Sequence, residues 1–307
     1  MALKGIVVGD PHFCDYTPTK RIDDFIENQF SKLNKIKNIA LEKDVDAVFL
    51  LGDVFDKARP AQWLVNRLID SLRDFPCSVF SLVGNHDLQG ASDGLAGTSL
   101  YTLFSSGILK RMEGDLEILG VPFRAINHGR NLSIDAFQTD TPRIILSHLM
   151  VTPQIAPFEH IYAFDVLKAA KDCFIFAGDF HDPFEFRDPI NNSQIVNPGV
   201  LNRTSIAEKG TDPSVIYFEA TPEDLVQQYR RISLGAPPGD KVFDVVSHEK
   251  TKTEELNLKN FIDSINQTQF ESQDIEKLVL DVGKKSNTPE KIIVEAIERI
   301  KTAKALA

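Results

Sequence analysis

The sequence predicts a layered α/β domain, and three observations carry that expectation. Short β-branched or aromatic runs alternate with segments of helical period. Five of those runs end on Asp, His or Asn, most of them beside a glycine. A Gly- and Pro-rich stretch, Gly235-Ala236-Pro237-Pro238-Gly239, sets off a shorter C-terminal segment. Strands alternating with helices pair in parallel and gather their loops at the strands' C-terminal ends, where ligands bind.

In chain order, Gly5-Ile6-Val7-Val8 reads as a strand that Gly9-Asp10-Pro11-His12 closes, with Pro11 fixing the turn. Asp23 to Lys43 has the apolar spacing of an amphipathic helix through Phe25, Ile26, Phe30, Leu33, Ile36, Ile39 and Ala40. Ala47 to Leu51 is a continuous apolar run ending at Gly52-Asp53-Val54-Phe55-Asp56. Ala61 to Leu72 is helical by period, with Pro60 suited to its first turn. Ser78 to Val83 is a strand running into Gly84-Asn85-His86-Asp87, and Gly90 to Gly97 is a small-residue loop beside it.

Leu116 to Val121, Arg143 to Leu146 and Cys173 to Ala177 read as further strands, the last two running into Ser147-His148 and Gly178-Asp179-Phe180-His181. Ile195 to Gly199 and Val215 to Phe218 continue the β-rich pattern. The expected boundary falls at the Gly/Pro stretch, giving a domain over 1–235 and a small one over 240–307. In the latter, Leu256 to Ile265 and Glu290 to Leu306 are helical by period, and Ile292, Ile293, Ala296, Ile297 and Ile300 form an apolar stripe. That stripe is expected to pack on the protein's own body rather than on a partner.

Composition bounds the function. The 307 residues, 42% apolar and 25% charged, are globular material, and no apolar run approaches the roughly 18 to 20 residues a bilayer requires. With no signal-peptide pattern after Met1, a cytoplasmic protein is expected. Cys14, Cys77 and Cys173 are too few and too widely spaced for a disulfide framework or a CxxC zinc site. A formal net charge of -10 argues against gripping nucleic acid by the overall field, so any DNA binding has to be local, metal-assisted or shared with a partner.

A single Asp or His beside a strand is ordinarily a turn former or a satisfied core residue. Its repetition at five strand ends is different, because packing gives no reason for it. Gly9-Asp10-Pro11-His12, Gly52-Asp53-Val54-Phe55-Asp56, Gly84-Asn85-His86-Asp87, His148 and Gly178-Asp179-Phe180-His181 together resemble the ordered motifs of calcineurin-like metallophosphoesterases. The resemblance covers roughly residues 1 to 220. It implies a four-layer α/β sandwich, two central mixed β-sheets flanked by helices, with a small C-terminal α/β cap and a dinuclear metal centre at the sheet ends.

Carried over motif by motif, the resemblance implies that Asp10, His12 and His181 hold one ion, that Asn85, His148 and Asp179 hold a second, and that Asp53 bridges them. Such ligands suit Mn²⁺, with Mg²⁺, Fe²⁺ or Zn²⁺ as other choices, and two ions can activate a bridging hydroxide. His86 is implied as the imidazole that stabilises the transition state or protonates the leaving oxygen, with the Asp56 carboxylate orienting it. The family usually has histidine where this chain has Asp179, a harder donor, and Asp182 stands by as a substitute ligand.

Arg59-Pro60, Asn197-Pro198-Gly199 with Arg203-Thr204-Ser205, and Tyr229 to Leu234 resemble the SbcD-type nucleases of double-strand-break processing. Lys57 stands where protein serine/threonine phosphatases usually carry arginine. The resemblance therefore implies a DNA exo- or endonuclease subunit in repair, recombination or replication, with DNA, an SMC-like ATPase and a second copy of the chain as candidate partners. Arg124, Arg130 and Arg203 are the candidate phosphate contacts. The alternatives are a phosphodiesterase for small nucleotides and a non-catalytic scaffold of the same fold.

Overall fold

The computed structural model describes residues 2–129, 132–246, 259 and 275–305. Two compact units divide it, Met1–Phe243 and Asp244–Ala307. In the first, β1 (Leu3–Val8), β2 (Ala47–Leu50), β3 (Ser78–Ser81) and β4 (Lys110–Arg111) pair in parallel. β13 (Ser214–Thr221) and β14 (Leu225–Ser233) extend that sheet antiparallel from β1, giving the order β14-β13-β1-β2-β3-β4.

A second six-stranded sheet runs β11-β12-β10-β7-β6-β5. Its strands are β5 (Gly114–Ile118), β6 (Val121–Ile126), β7 (Ile144–Ser147), β10 (Phe174–Ala177), β11 (Phe184–Asp188) and β12 (Ser193–Asn197). A short parallel pair, β8 (Val151–Thr152) and β9 (Ile161–Tyr162), lies between β7 and β10 in the chain.

Strand periodicity explains the layers. In β1, Ile6 and Val8 belong to a cluster with Phe30, Leu33 and Ile36 of α1 (Phe25–Glu42) and Leu64, Val65 and Leu68 of α2 (Gln62–Arg73). Val7, on the opposite face, joins Phe49, Phe123, Ile144, Phe176 and Phe218 between the sheets. Ile145, Ile175 and Ile195 turn outward from the second sheet onto Val166 and Leu167 of α4 (Ala163–Ala169). The order is helices, sheet, sheet, helix, the four-layer α/β arrangement. α3 (Ser99–Ser105) completes the first helical layer through Leu100 and Leu103.

Three expectations need correction. Leu116 to Val121 is not one strand but a hairpin, β5 and β6, whose two-residue turn puts Leu119 and Gly120 at φ 49° and 82°. Positive φ at both central residues matches the twist of the flanking strands. The Gly235–Gly239 stretch belongs to the first unit: the Pro237 carbonyl accepts from Arg203 Nη2 at 2.6 Å, and the short α5 (Gly239–Val242) ends at buried Phe243, which bridges Arg21. The C-terminal unit shows only helices among its described residues, not an α/β mixture.

Within that second unit, α6 (Ile275–Lys285) and α7 (Glu290–Ala305) pack together. Ile292, Ile293 and Ala296 bury against Val279, with Val282, Ile297 and Ile300 around them, so the stripe is covered by its own unit. The helix expected over Leu256 to Ile265 lies outside the described residues, apart from Lys259. No helix among the described residues is long and apolar enough to cross a membrane.

Candidate metal centre

The parallel strands of both sheets deliver the chemistry at their C-terminal ends. Asp10 and His12 follow β1, Asp53 follows β2, Asn85 and His86 follow β3, His148 follows β7, and Asp179 and His181 follow β10. Three of these sit in the left-handed region: His12 at φ 42°, Asp53 at 47° and Asp179 at 71°. Non-glycine residues persist there only where surrounding structure forces them, which is typical of functional sites.

Two glycines permit the crowding. A Cβ on Gly52, itself at φ 102°, would lie 2.5 Å from His148 Nδ1, and one on Gly84 would lie 2.1 Å from Asp53 Oδ1. Asp87, fully buried, ties the same loops together by accepting from the backbone N–H groups of Val54, Phe55 and Gly84.

His12 Nε2 and His181 Nε2 face each other at 3.1 Å, and Asp53 Oδ2 lies 3.6 Å from the former. On the other side of Asp53, the same oxygen lies 3.4 Å from His148 Nε2, which also meets Asn85 Oδ1 at 2.9 Å and Asp179 Oδ1 at 3.9 Å. Asp10 accepts the Asp179 backbone N–H with both carboxylate oxygens and approaches His148 Nδ1 at 3.3 Å. Two groups have ligand atoms mutually within 4.8 Å: His12, Asp53 and His86, and Asp10, Asp53 and His148. Asp53 belongs to both.

The hydrogen bonds fix what these atoms can be. His148 Nδ1 donates to the Leu51 carbonyl at 2.7 Å, so in the neutral ring Nε2 is a lone pair, yet its neighbours are all oxygens. A second proton or a cation satisfies that point with the Asn85 oxygen where it lies. Burial works against charge on His148, but Asp53 and Asp10 outweigh it and raise its pKa well above the ordinary imidazole value. The field that would hold a proton there fits a divalent ion in its place.

His12 obeys the same logic: burial opposes its charge, while Asp56, Asp53 and Asp10 lift it to about 9. Burial raises Asp179, and Asp10 and Asp53 raise it further. Asp53 is pushed up by burial but pulled below the usual carboxylate range by His148 and His12. Buried carboxylates and imidazoles this dense are the donor set of divalent metals.

Glu208 is a further residue at the centre that the strand-end pattern does not reach. Its Oε1 accepts from His181 Nδ1 at 2.5 Å, and its Oε2 accepts the backbone N–H groups of Thr204 at 2.7 Å and Ser205 at 3.0 Å. Burial raises this carboxyl, but His181 and those N–H groups hold it below the ordinary value. A proton kept on His181 Nδ1 leaves Nε2 free to bind an ion, the usual carboxylate–histidine–metal relay. The sequence does carry a signal for it: Ser205-Ile206-Ala207-Glu208 is a capping box at the head of a short 3₁₀ turn.

The Asp56 expectation is corrected in detail. His86 Nδ1 meets the backbone carbonyl of Asp56 at 2.8 Å, while the Asp56 carboxylate is 3.8 Å away. That carboxylate instead accepts the Tyr16 hydroxyl at 2.6 Å and lies 3.5 Å from His12 Nδ1. Asp182 also lines the cleft, but its carboxylate accepts from Thr211 Oγ1 at 3.4 Å and belongs to neither ligand group.

Two of the three arginines expected on substrate, Arg203 and Arg124, are placed elsewhere. Arg203 is buried, with its guanidinium on the carbonyls of Pro237, Thr211 and Lys209. Arg124 is tied to the Asp115 carboxylate at 2.7 and 3.0 Å and to the Gln138 carbonyl. Neither lines a cleft at the centre, and Arg130 lies outside the described residues.

Residues 3–167, more than half the chain, match the family model described as calcineurin-like phosphoesterase, and the chain belongs to that family. It is a metal-dependent phosphoesterase with two candidate metal sites of Asp and His. No match was found among curated proteins.

Similar solved structures include an archaeal phosphodiesterase at 15% identity and TM-score 0.41, over 75% of this chain and 99% of that one. A dimetal phosphatase from Danio rerio is 12% identical with TM-score 0.49, over 76% and 99% of the two chains. A 5'-nucleotidase precursor from Thermus thermophilus is 11% identical with TM-score 0.44, over 85% and 60%. At this distance they add nothing to the family match.

Proposed function

We propose that the protein is a phosphodiesterase acting on DNA, the nuclease subunit of a repair or recombination complex of the kind SbcD-type nucleases form. The observation that carries the diester reading is a pair of clefts, of about 420 and 410 Å³, that meet at Asn85 and His86. One is lined by Asp53, Asp179, His181, Met150, Phe158 and Phe180, the other by Leu88, Gln89, His128 and Gly129. A phosphodiester has an arm on each side of phosphorus, and a monoester needs room for one. Among the described residues no Lys or Arg lines either cleft, which suits a singly charged diester better than a doubly charged monoester. Lys57 is drawn away by Asp15 at 2.8 Å.

In this reading Asp10, His12 and His181 would hold one ion and Asn85, His148 and Asp179 the other, with Asp53 serving both, and Mn²⁺ is the expected metal. Bound there, divalent ions supply Lewis acidity to the phosphoryl oxygens and activate water as nucleophile. The chain's own part is positional. Glu208 and the Leu51 carbonyl set the tautomers of His181 and His148. His86, its Nδ1 proton held on the Asp56 carbonyl, would in its doubly protonated form give the Nε2 proton to the departing oxygen and be left neutral. With a net charge of -10 and no cationic cleft wall among the described residues, the grip on DNA has to come from a partner, for which an SMC-like ATPase and a second copy of the chain are the candidates.

The test compares bis(p-nitrophenyl) phosphate with p-nitrophenyl phosphate in Mn²⁺, then linear DNA with the chain alone and with its ATPase. The diester should be preferred and DNA degraded. Preference for the monoester refutes the diester reading. Diester hydrolysis without DNA degradation in either setting leaves the nucleotide phosphodiesterase, which the nucleotide-sized clefts favour.

A further inference from the structure

The cleft on the Asp179 side is lined by two unlike kinds of side chain. Beside Asp53, Asn85, His86, Asp179 and His181, the same lining includes Met150, Phe158 and Phe180. Phe158 is 50% exposed although it faces a cleft, and Ile155 beside it is 84% exposed. A lone exposed apolar side chain at a surface is ordinary, but a half-exposed phenyl ring lining the cleft that also holds Asp53, Asp179 and His181 is not accounted for by packing.

The loop is built to hold it. Between β8 and β9, whose Val151 pairs with Ile161, His160 clamps the backbone on both sides of Phe158. Its Nδ1 donates to the Phe158 carbonyl at 2.6 Å, and its Nε2 accepts the Ala156 N–H at 3.3 Å. The His160 ring also meets the Phe158 ring edge-on, centroids 6.0 Å apart. Thr152 Oγ1 fixes the loop's start on the Gln154 carbonyl at 2.7 Å. One imidazole is thereby used to present one phenyl.

We propose that Met150, Phe158 and Phe180 form a nucleobase subsite beside the metal centre, with Phe158 as the stacking platform for the base next to the scissile phosphate. The proposal rests on the diester reading and adds how that substrate is chosen. With no cation on the described cleft walls, the ligand's phosphates gain nothing there beyond the metal centre, whereas any base gains by stacking on an aromatic face. A cleft of about 420 Å³ holds a nucleotide but not a duplex. Inside a duplex both faces of a base are covered by its neighbours, so the subsite selects an unpaired or frayed terminal nucleotide.

Two measurements test it. Thymidine 5′-(p-nitrophenyl phosphate) and methyl p-nitrophenyl phosphate share a leaving group and differ in whether a nucleoside occupies the other arm. Wild type should prefer the thymidine ester, and Phe158→Ala should cut that preference, read as the ratio of kcat/KM values, about tenfold. A ratio unchanged within twofold overturns the proposal. Phe158→Trp should keep the preference and report binding directly: its fluorescence, measured in a Trp63→Phe background, should be quenched by dAMP and not by inorganic phosphate. Equal quenching by both, or by neither, also overturns it. A wild type inert on both esters refutes the diester reading instead, and the quenching still decides the subsite.

Discussion

Replacing Glu208 by glutamine separates two jobs that its two oxygens do. Oε2 closes the capping box on Thr204 and Ser205, and Oε1 holds the His181 Nδ1 proton. In the glutamine variant the amide oxygen can keep the backbone N–H groups, but the amide NH₂ then faces His181 Nδ1. A donor there forces Nδ1 to accept, which moves the ring proton to Nε2, the atom 3.1 Å from His12 Nε2. His181 can no longer bind an ion through that atom. Losing a partner of this kind costs about 10–100-fold in metal affinity. Glu208→Ala removes the cap as well, so it should add a stability loss of about 1–2 kcal/mol. Calorimetric Mn²⁺ titration paired with urea melts of the metal-free protein separates the two. The reasoning is refuted if Glu208→Gln binds Mn²⁺ within twofold of wild type, or if it unfolds as readily as Glu208→Ala.

Three other outcomes are expected. His86→Asn should lower kcat about 10²–10⁴-fold while Mn²⁺ affinity holds; loss of the metal would make His86 a ligand, as its place with His12 and Asp53 allows. Gly84→Ala drives a methyl to 2.1 Å from Asp53 Oδ1 and 2.4 Å from its backbone N, so it should cost about 1–3 kcal/mol and weaken Mn²⁺ binding, and a variant normal on both counts in melts and titrations would contradict the crowding. Lys32 is buried with Nζ on the Leu201 carbonyl and Asn202 Oδ1, and burial, with Arg21 and Arg203 nearby, lowers its pKa to about 7. Because the unfolded chain keeps that proton up to its ordinary value near 10.5, this residue's contribution makes stability rise between pH 7 and 10.5. Denaturant melts should therefore show wild type gaining about 2 kcal/mol relative to Lys32→Met from pH 7 to pH 9, and parallel pH profiles would exclude the shift.

The parts legible in the sequence are those fixed by local pattern. β1, β2, β3, β7 and β10 are short runs rich in apolar residues, and each is followed closely by a polar side chain found at the centre. The long helix α1 declares its period and its start, with Asp24 accepting the Glu27 N–H at 3.2 Å. What stays hidden depends on distance in the chain. Glu208 reads as a cap until His181, 27 residues earlier, is seen against it. Arg203 and Arg124 read as cations available to phosphate, because nothing in the chain announces that backbone carbonyls and Asp115 consume them. Asp56 lies beside His86, but whether its carbonyl or its carboxylate makes the contact is a matter of a few ångströms that no motif encodes.

Asp53 is where the account is most exposed, since it lies between His12 and His148 and joins both ligand groups. The most direct measurement is Mn²⁺ stoichiometry by calorimetry for wild type and for Asp53→Asn. The account predicts two ions per chain, and weakened binding of both when the shared carboxylate is lost. A single ion in wild type, or an Asp53→Asn protein that loses one ion and binds the other normally, would contradict it.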